Sequence, residues 1–305
     1  MKRAIICIIS CLLFGAMASA QPQKVIEKEF EKFSTVNVQD KFVVRLIHSD
    51  RYSVRINVDE RIATHVQAYE KNGVLYLILN EKGYTKELKK ELKQKGAAKP
   101  VLEAMIYMPE VNSLIFSDNV SVTYSDEIKS EKFTLTASDN AKVQQLRVTC
   151  ATADLNVSRN AEVSAEMYVA SSLYIKTANS ANVSVVQNGG SAFIEQEGSS
   201  LLDFKATVQA LEVLASSGAE AHISGTASML TVNSSGLART DAELLDVSEG
   251  LITQSGSSKC HVNIADKMKV NLTGGSMLTF KRTPTIEIER ILNSSLLKAD
   301  DPKRK

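Results

Sequence analysis

The sequence predicts an all-β fold: a parallel β-helix (β-solenoid) with coils of about 20 residues and one short helical insertion. Two patterns carry this expectation. The first is a turn signature that returns at near-constant spacing. It begins as Ser117-Asp118-Asn119, Ser138-Asp139-Asn140 and Ser158-Arg159-Asn160, and passes through Ala178-Asn179-Ser180. It then continues with glycine as Glu197-Gly198-Ser199, Ser217-Gly218-Ala219, Ser235-Gly236-Leu237, Ser255-Gly256-Ser257 and Gly274-Gly275-Ser276. Successive signatures lie 18 to 21 residues apart. A fixed short period marks a repeat architecture, in which each unit buries its apolar face against its neighbours. The second pattern is the alternation between the turns, as in Phe133-Thr-Leu135-Thr, Leu155-Asn-Val157-Ser, Leu173-Tyr-Ile175-Lys and Met268-Lys-Val270-Asn-Leu272. Period two means half-buried strands. A propeller blade needs roughly 40 residues, and a sandwich has turns every 8–12 residues without register between them, so the solenoid is the architecture that remains.

The elements follow in order. Residues 1–20 have a basic start (Lys2, Arg3), an apolar run from Ala4 to Phe14 and Ala18-Ser19-Ala20 before Gln21, the pattern of a cleaved secretory signal peptide. The expected destination is outside the cytoplasm: periplasm, outer surface or extracellular medium. No later stretch is apolar and long enough for a transmembrane helix. Residues 21–115 read as a strand-rich, less regular section of the same domain, with strands at Phe33–Val38, Phe42–Leu46, Tyr52–Val58, Val74–Leu79 and Val101–Met108. Within it, residues 81–99 are expected to form a basic helical insertion, because Tyr84, Leu88 and Leu92 fall at i, i+4, i+8. That narrow stripe predicts a mobile excursion dispensable for folding. Residues 116–290 carry the regular repeats, and 291–305 read as a C-terminal tail. Removing the leader takes Cys7 and Cys11 with it and leaves Cys150 and Cys260, which the repeat places several coils apart as separate packed thiols.

The leader, the opening Phe33-Ser-Thr-Val-Asn-Val-Gln-Asp-Lys-Phe-Val-Val-Arg-Leu, a strand ending in Met108-Pro109 and the Ser/Asn/Gly-marked repeats together resemble one family. It is the auto-transporter adhesin "head GIN domain" family of secreted proteins from Bacteroidetes-type bacteria. The resemblance spans roughly residues 30–290 and implies a parallel β-helix in the cell envelope. The family's usual Gly-Ser-Gly turn is replaced by Ser-Asp-Asn or Ser-Arg-Asn in the first three coils here.

Chemistry is sparse. The balance of 36 basic against 35 acidic residues excludes a bulk attraction to nucleic acid. No Gly-x-Gly-x-x-Gly, Walker loop or Gly-x-Ser-x-Gly is present, so no cofactor is expected. If coils stack in register, Asp118, Asp139 and Arg159 share one turn column, the ingredients of a polysaccharide lyase: carboxylates for Ca²⁺ and an arginine base. Two carboxylates are few for Ca²⁺, and Asp and Asn favour such turns on their own. Residues 82–99 hold seven lysines, among them Lys86, Lys89, Lys90 and Lys93, an anion-binding surface if they share a face. The histidines at 48, 65, 222 and 261 show no ligand pairing along the chain, and no metal is expected. The expected function is therefore a non-catalytic, adhesin-like module binding glycan or a cell-surface protein along a solenoid face. The alternative is a polysaccharide-degrading β-helix enzyme. The mostly small, polar outward positions favour the binder.

Overall fold

The structure is a computed structural model that describes residues 22–299. The expected leader, residues 1–20, lies outside the described residues. The described chain forms a β-solenoid of about ten turns with coils of about 19 residues.

The N-terminal section contains β1 (Gln23–Glu29), β2 (Thr35–Val38), β3 (Val43–His48), β4 (Ser53–Asp59), β5 (Val66–Lys71) and β6 (Val74–Leu79). The helix α1 (Lys86–Leu92) follows, then β7 (Leu102–Met108), β8 (Ser113–Phe116) and β9 (Ser121–Ser125). Regular coils follow as β10 (Ile128–Ala137), β11 (Lys142–Val157), β12 (Glu162–Thr177), β13 (Asn182–Asn188), β14 (Ser191–Gln196) and β15 (Leu201–Ala215). The last are β16 (Glu220–Ser234), β17 (Arg239–Gln254), β18 (Lys259–Thr273), β19 (Met277–Lys281), β20 (Thr285–Leu292) and β21 (Ser295–Lys298).

Each long strand supplies two faces. The first half of β12 pairs in parallel with β13 and the second half with β14, so one strand wraps a corner that the next coil breaks into two. We call the face that follows the turn the leading face and the other the trailing face. Between them lies one continuous core. Leu135, Val148, Val157, Ile175, Val232, Val247, Ile264 and Val270 are all buried in it, as the alternation predicts.

The turn column explains the Asp, Asn and Gly signature. Asp118, Asp139, Arg159, Asn179, Gly198, Ser217, Gly236, Gly256 and Gly274 occupy successive coils with φ between 51° and 79°. That left-handed region is open to glycine and tolerated by Asn and Asp. In the first three coils the next residue, Asn119, Asn140 or Asn160, is left-handed as well, with φ of 62° to 68°. The sixth coil departs from the simplest reading of its Ser217-Gly218 pair. There the serine takes the positive φ of 63°, and Gly218 does not take one.

The N-terminal end is closed by reversing direction. On the leading face β4 runs antiparallel to β7, and β1 antiparallel to β4. On the trailing face β5 forms an antiparallel hairpin with β6. Lys28 Nζ of β1 donates to the Ala68 carbonyl of β5 at 2.7 Å, tying the two outer strands across the end.

The expected helix lies within 81–99, but the segment packs on the core and does not project freely. The α-helix covers only Lys86–Leu92, capped by Thr85. Tyr84 is buried edge-on against His65, and Leu88 and Leu92 pack on the core. Arg61 joins the buried Asp59 at 2.6 Å to Glu91 of α1 at 3.0 Å. The segment is a docked plug, because the core's open end offers an apolar surface that the narrow stripe is wide enough to cover. The segment expected as a tail from 291 carries strand structure as far as the described residues go. β20 runs through that boundary, and β21 stacks in parallel on β19 as a further strand.

Candidate functional site

The turn column brings together only part of the expected triad. Arg159 grips Asp139 with two hydrogen bonds of 2.7 Å, Nε to Oδ1 and Nη2 to Oδ2. Asp118 instead accepts from the Ser117 hydroxyl at 2.7 Å and touches neither partner. Asp139 is held below the usual carboxylate range by the bond from Arg159, and Arg159 is raised by the same bond. A lyase base must lose its proton easily, and this pairing opposes that. Lys86, Lys89 and Lys90 are exposed on the seven-residue α1 and Lys93 just past its C-terminal end. Among the described residues none of the four forms an ion pair.

A different surface has the character of a binding site. On the leading face, β9, β11, β12, β13 and β15 form a shallow groove floored by Ser164 and Ser184, with Tyr124, Arg147, Glu166 and Lys205 along it. A second hollow shares Arg147 and Glu166 with the first and runs on past Thr149 to Tyr168 and Asn188. Tyr124 and Tyr168 are 47% and 54% exposed, so two aromatic rings flank a charged strip. Such rings offer an apolar body with a polar tip, a form suited to sugar or protein contact.

Strand chemistry sets the geometry. Pairing across coils aligns Arg147 with Glu166, and Thr149 with Tyr168. The next steps align Glu166 with Val186 and Tyr168 with Asn188. At the groove's edge β11 carries a bulge between Val143 and Leu146, where Gln145 adopts φ 54°. Bulges re-aim side chains, and a left-handed glutamine stores strain that persists where the surroundings impose it. Tyr124 is anchored by its hydroxyl, which donates to Asp126 at 2.7 Å; that bond lowers the Asp126 pKa and raises that of Tyr124.

The groove differs electrostatically from the trailing face. There Lys176 pairs with Glu195 at 2.6 Å and Lys132 with Asp154 at 3.7 Å, and Tyr174 donates to Glu195 while stacking on Phe193. In the groove the side chains of Gln145, Arg147, Glu166 and Lys205 make no hydrogen bond or ion pair among the described residues. Sequence reasoning missed these residues, although Arg147, Glu166 and Lys205 recur at steps of 19 and 39 residues, one and two coil lengths.

Stacking also assembles a set of ligand-type side chains that chain order hides. Asp241, Glu243 and His261 bring their ligating atoms within 4.8 Å of one another and could hold a metal ion. Glu243 is already engaged by the Lys281 ammonium at 2.5 Å. The neighbouring Cys260 is fully buried, with burial raising its thiol pKa, and Cys150 is raised to about 11 for the same reason. Neither is in a disulfide. They lie six coils apart, roughly 29 Å along the axis at about 4.8 Å per coil.

Comparison with known proteins bears on the whole chain. The family model described as "Putative auto-transporter adhesin, head GIN domain" matches residues 32–171 and again 152–284. The chain belongs to this family. The two matches overlap over residues 152–171. Among solved structures, the chain is similar to a putative adhesin from Parabacteroides merdae. The match has 12% identity, covers 92% of this chain and 98% of that one, and has a TM-score of 0.51, a likeness of fold. It also matches a putative lipid binding protein from Parabacteroides distasonis, at 13% identity and a TM-score of 0.48 over the same shares. No curated protein matches the chain. Among the described residues no helix is long and apolar enough to cross a membrane.

Proposed function

We propose that this head GIN domain protein is an exported, non-catalytic, adhesin-like module of the cell envelope that binds a glycan in the leading-face groove. One observation carries the reading: along one strip of the leading face, Gln145, Arg147 and Glu166 lie on the coils between exposed Tyr124 and Tyr168, with Lys205 two coils further on, and among the described residues none of these four polar side chains makes a hydrogen bond or ion pair. Sugars present apolar C–H faces to aromatic rings and hydroxyls to fixed donors and acceptors. Tyr124 and Tyr168 meet the first need, and the arginine fork, the carboxylate and the amide meet the second. Their spacing along the solenoid axis suits an extended chain laid across several coils.

The lyase reading is weaker on chemical grounds, because Arg159 is committed to Asp139 and its proton is held more tightly. A glycan array probed with the protein from residue 21 onward tests the proposal. The leading hit is expected to lose about tenfold in affinity with Tyr168→Ala and a similar factor with Arg147→Ala, on the order of 1.4 kcal/mol each. Arg159→Ala is expected to leave binding unchanged. An array without hits would remove the glycan. Unsaturated uronic products that vanish with Arg159→Ala would replace the binder with the lyase.

A further inference from the structure

The two ends of the solenoid are built differently. Along one inward-facing column Val232, Ile252, Val270 and Ile288 align in successive coils. The first three are 0% exposed, and Ile288 is 57% exposed. In the neighbouring column Gln254 and Leu272 are buried, and Ile291 is 39% exposed. The core therefore runs out into solvent at the C-terminal end, where Leu292 and Leu297 add further exposed apolar surface. Among the described residues β20 pairs only with β18, and β21 only with β19, so each leaves one edge of backbone donors and acceptors free.

We propose that this end is a dimerisation surface for a second copy of the chain, joined C-terminal end to C-terminal end about a two-fold axis with β20 antiparallel to its counterpart. Free strand edges recruit strands, and exposed core residues recruit apolar surface. A head-to-tail filament is disfavoured because the opposite end, although β1 and β5 each keep one free edge among the described residues, has its core covered by α1 and carries the charged Lys24, Glu27, Lys28 and Glu29 along β1. A C-terminal two-fold leaves no such end to block it and closes on itself. The sequence of β20 is self-complementary in that arrangement. The register that sets Ile286 opposite the second copy's Ile291 also sets Glu287 opposite its Arg290; Glu287 already meets Lys267 at 3.2 Å and Lys269 at 3.4 Å within the chain, whereas Arg290 has no ion pair among the described residues.

Sedimentation equilibrium of the protein from residue 21 onward tests this. The expected result is a dimer that Ile288→Lys weakens at least tenfold without lowering the melting temperature, whereas Val25→Lys at the closed end changes nothing. If Ile288→Lys fails to fold, Leu297→Lys on the β21 edge makes the same reading. The pair Ile286→Cys with Ile291→Cys is expected to trap the dimer through disulfides between copies. A wild-type monomer at every concentration, a dimer indifferent to both edge variants, or an open-ended ladder of oligomers would overturn the proposal.

Discussion

Asp59 and Arg61 form the most enclosed ion pair among the described residues, with an Asp59 side chain that is 0% exposed. The guanidinium donates Nε to Oδ1 at 2.9 Å and Nη2 to Oδ2 at 2.6 Å, and these bonds hold the Asp59 carboxyl below its ordinary pKa. A carboxyl depressed in the folded state stabilises the protein above its unfolded pKa, and that contribution fades as pH falls towards the folded value. Arg61→Ala leaves a buried charge without its partner, a loss on the order of 3–5 kcal/mol at neutral pH. In urea titrations at pH 7 and at pH 3, the deficit of the variant is expected to shrink at the lower pH, because a protonated Asp59 needs no guanidinium. A deficit that grows as pH falls would contradict the assignment.

At the scale of the element, the turn column separates glycines by what they do. Gly198 sits at φ 74°, and a Cβ there would meet the Asn179 backbone at 2.8 Å, so both conformation and space oppose Gly198→Ala. Gly218 has no positive φ, and the nearest atom to an added Cβ is 3.5 Å away. Gly198→Ala is expected to cost about 1–3 kcal/mol and Gly218→Ala less than about 0.5 kcal/mol. Ser217 bears the left-handed conformation that its glycine neighbour does not, so Ser217→Gly is expected to raise stability by up to about 1 kcal/mol. Thermal unfolding of the three variants checks the order. Equal effects of the two alanines would show that the turn is not the constraint described.

For the whole molecule, stability depends on how a stack of parallel coils ends. Tyr84, Leu88 and Leu92 close the N-terminal end together with the Arg61–Glu91 bridge. Replacing residues 82–98 with a Gly/Ser linker removes that cover; Tyr84 is buried and Leu88 and Leu92 are half-buried, so at roughly 1.5–3 kcal/mol for a fully buried large side chain the loss is about 3–5 kcal/mol. The melting temperature is expected to fall by roughly 10 °C, at about 2–4 °C per kcal/mol for a chain of this size. A variant melting within two or three degrees of the parent would restore the picture of a free excursion. Among the described residues the opposite end has no comparable cover, and the proposed dimer contact is what would close it.

How much was legible in the sequence follows from the range of each interaction. Turn chemistry and alternation are local. Asp118-Asn119 and Gly198 announce left-handed corners, Leu155 and Val157 announce an inward face, and their 18-to-21-residue recurrence was enough to establish the solenoid. The separation of Cys150 from Cys260 followed from the same period. The docking of α1 was not legible, because its stripe gains meaning only from the open core beneath it. The groove was hidden for a related reason: Arg147, Glu166 and Lys205 are ordinary outward residues until parallel pairing sets Arg147 beside Glu166 and places Lys205 two coils along the same groove, next to the Gln145 bulge. Periodicity along a chain specifies which residues face the core. Only the stacking of the coils decides which outward residues become neighbours, because those contacts join positions about 19 residues or more apart, where side-chain identity leaves no local trace.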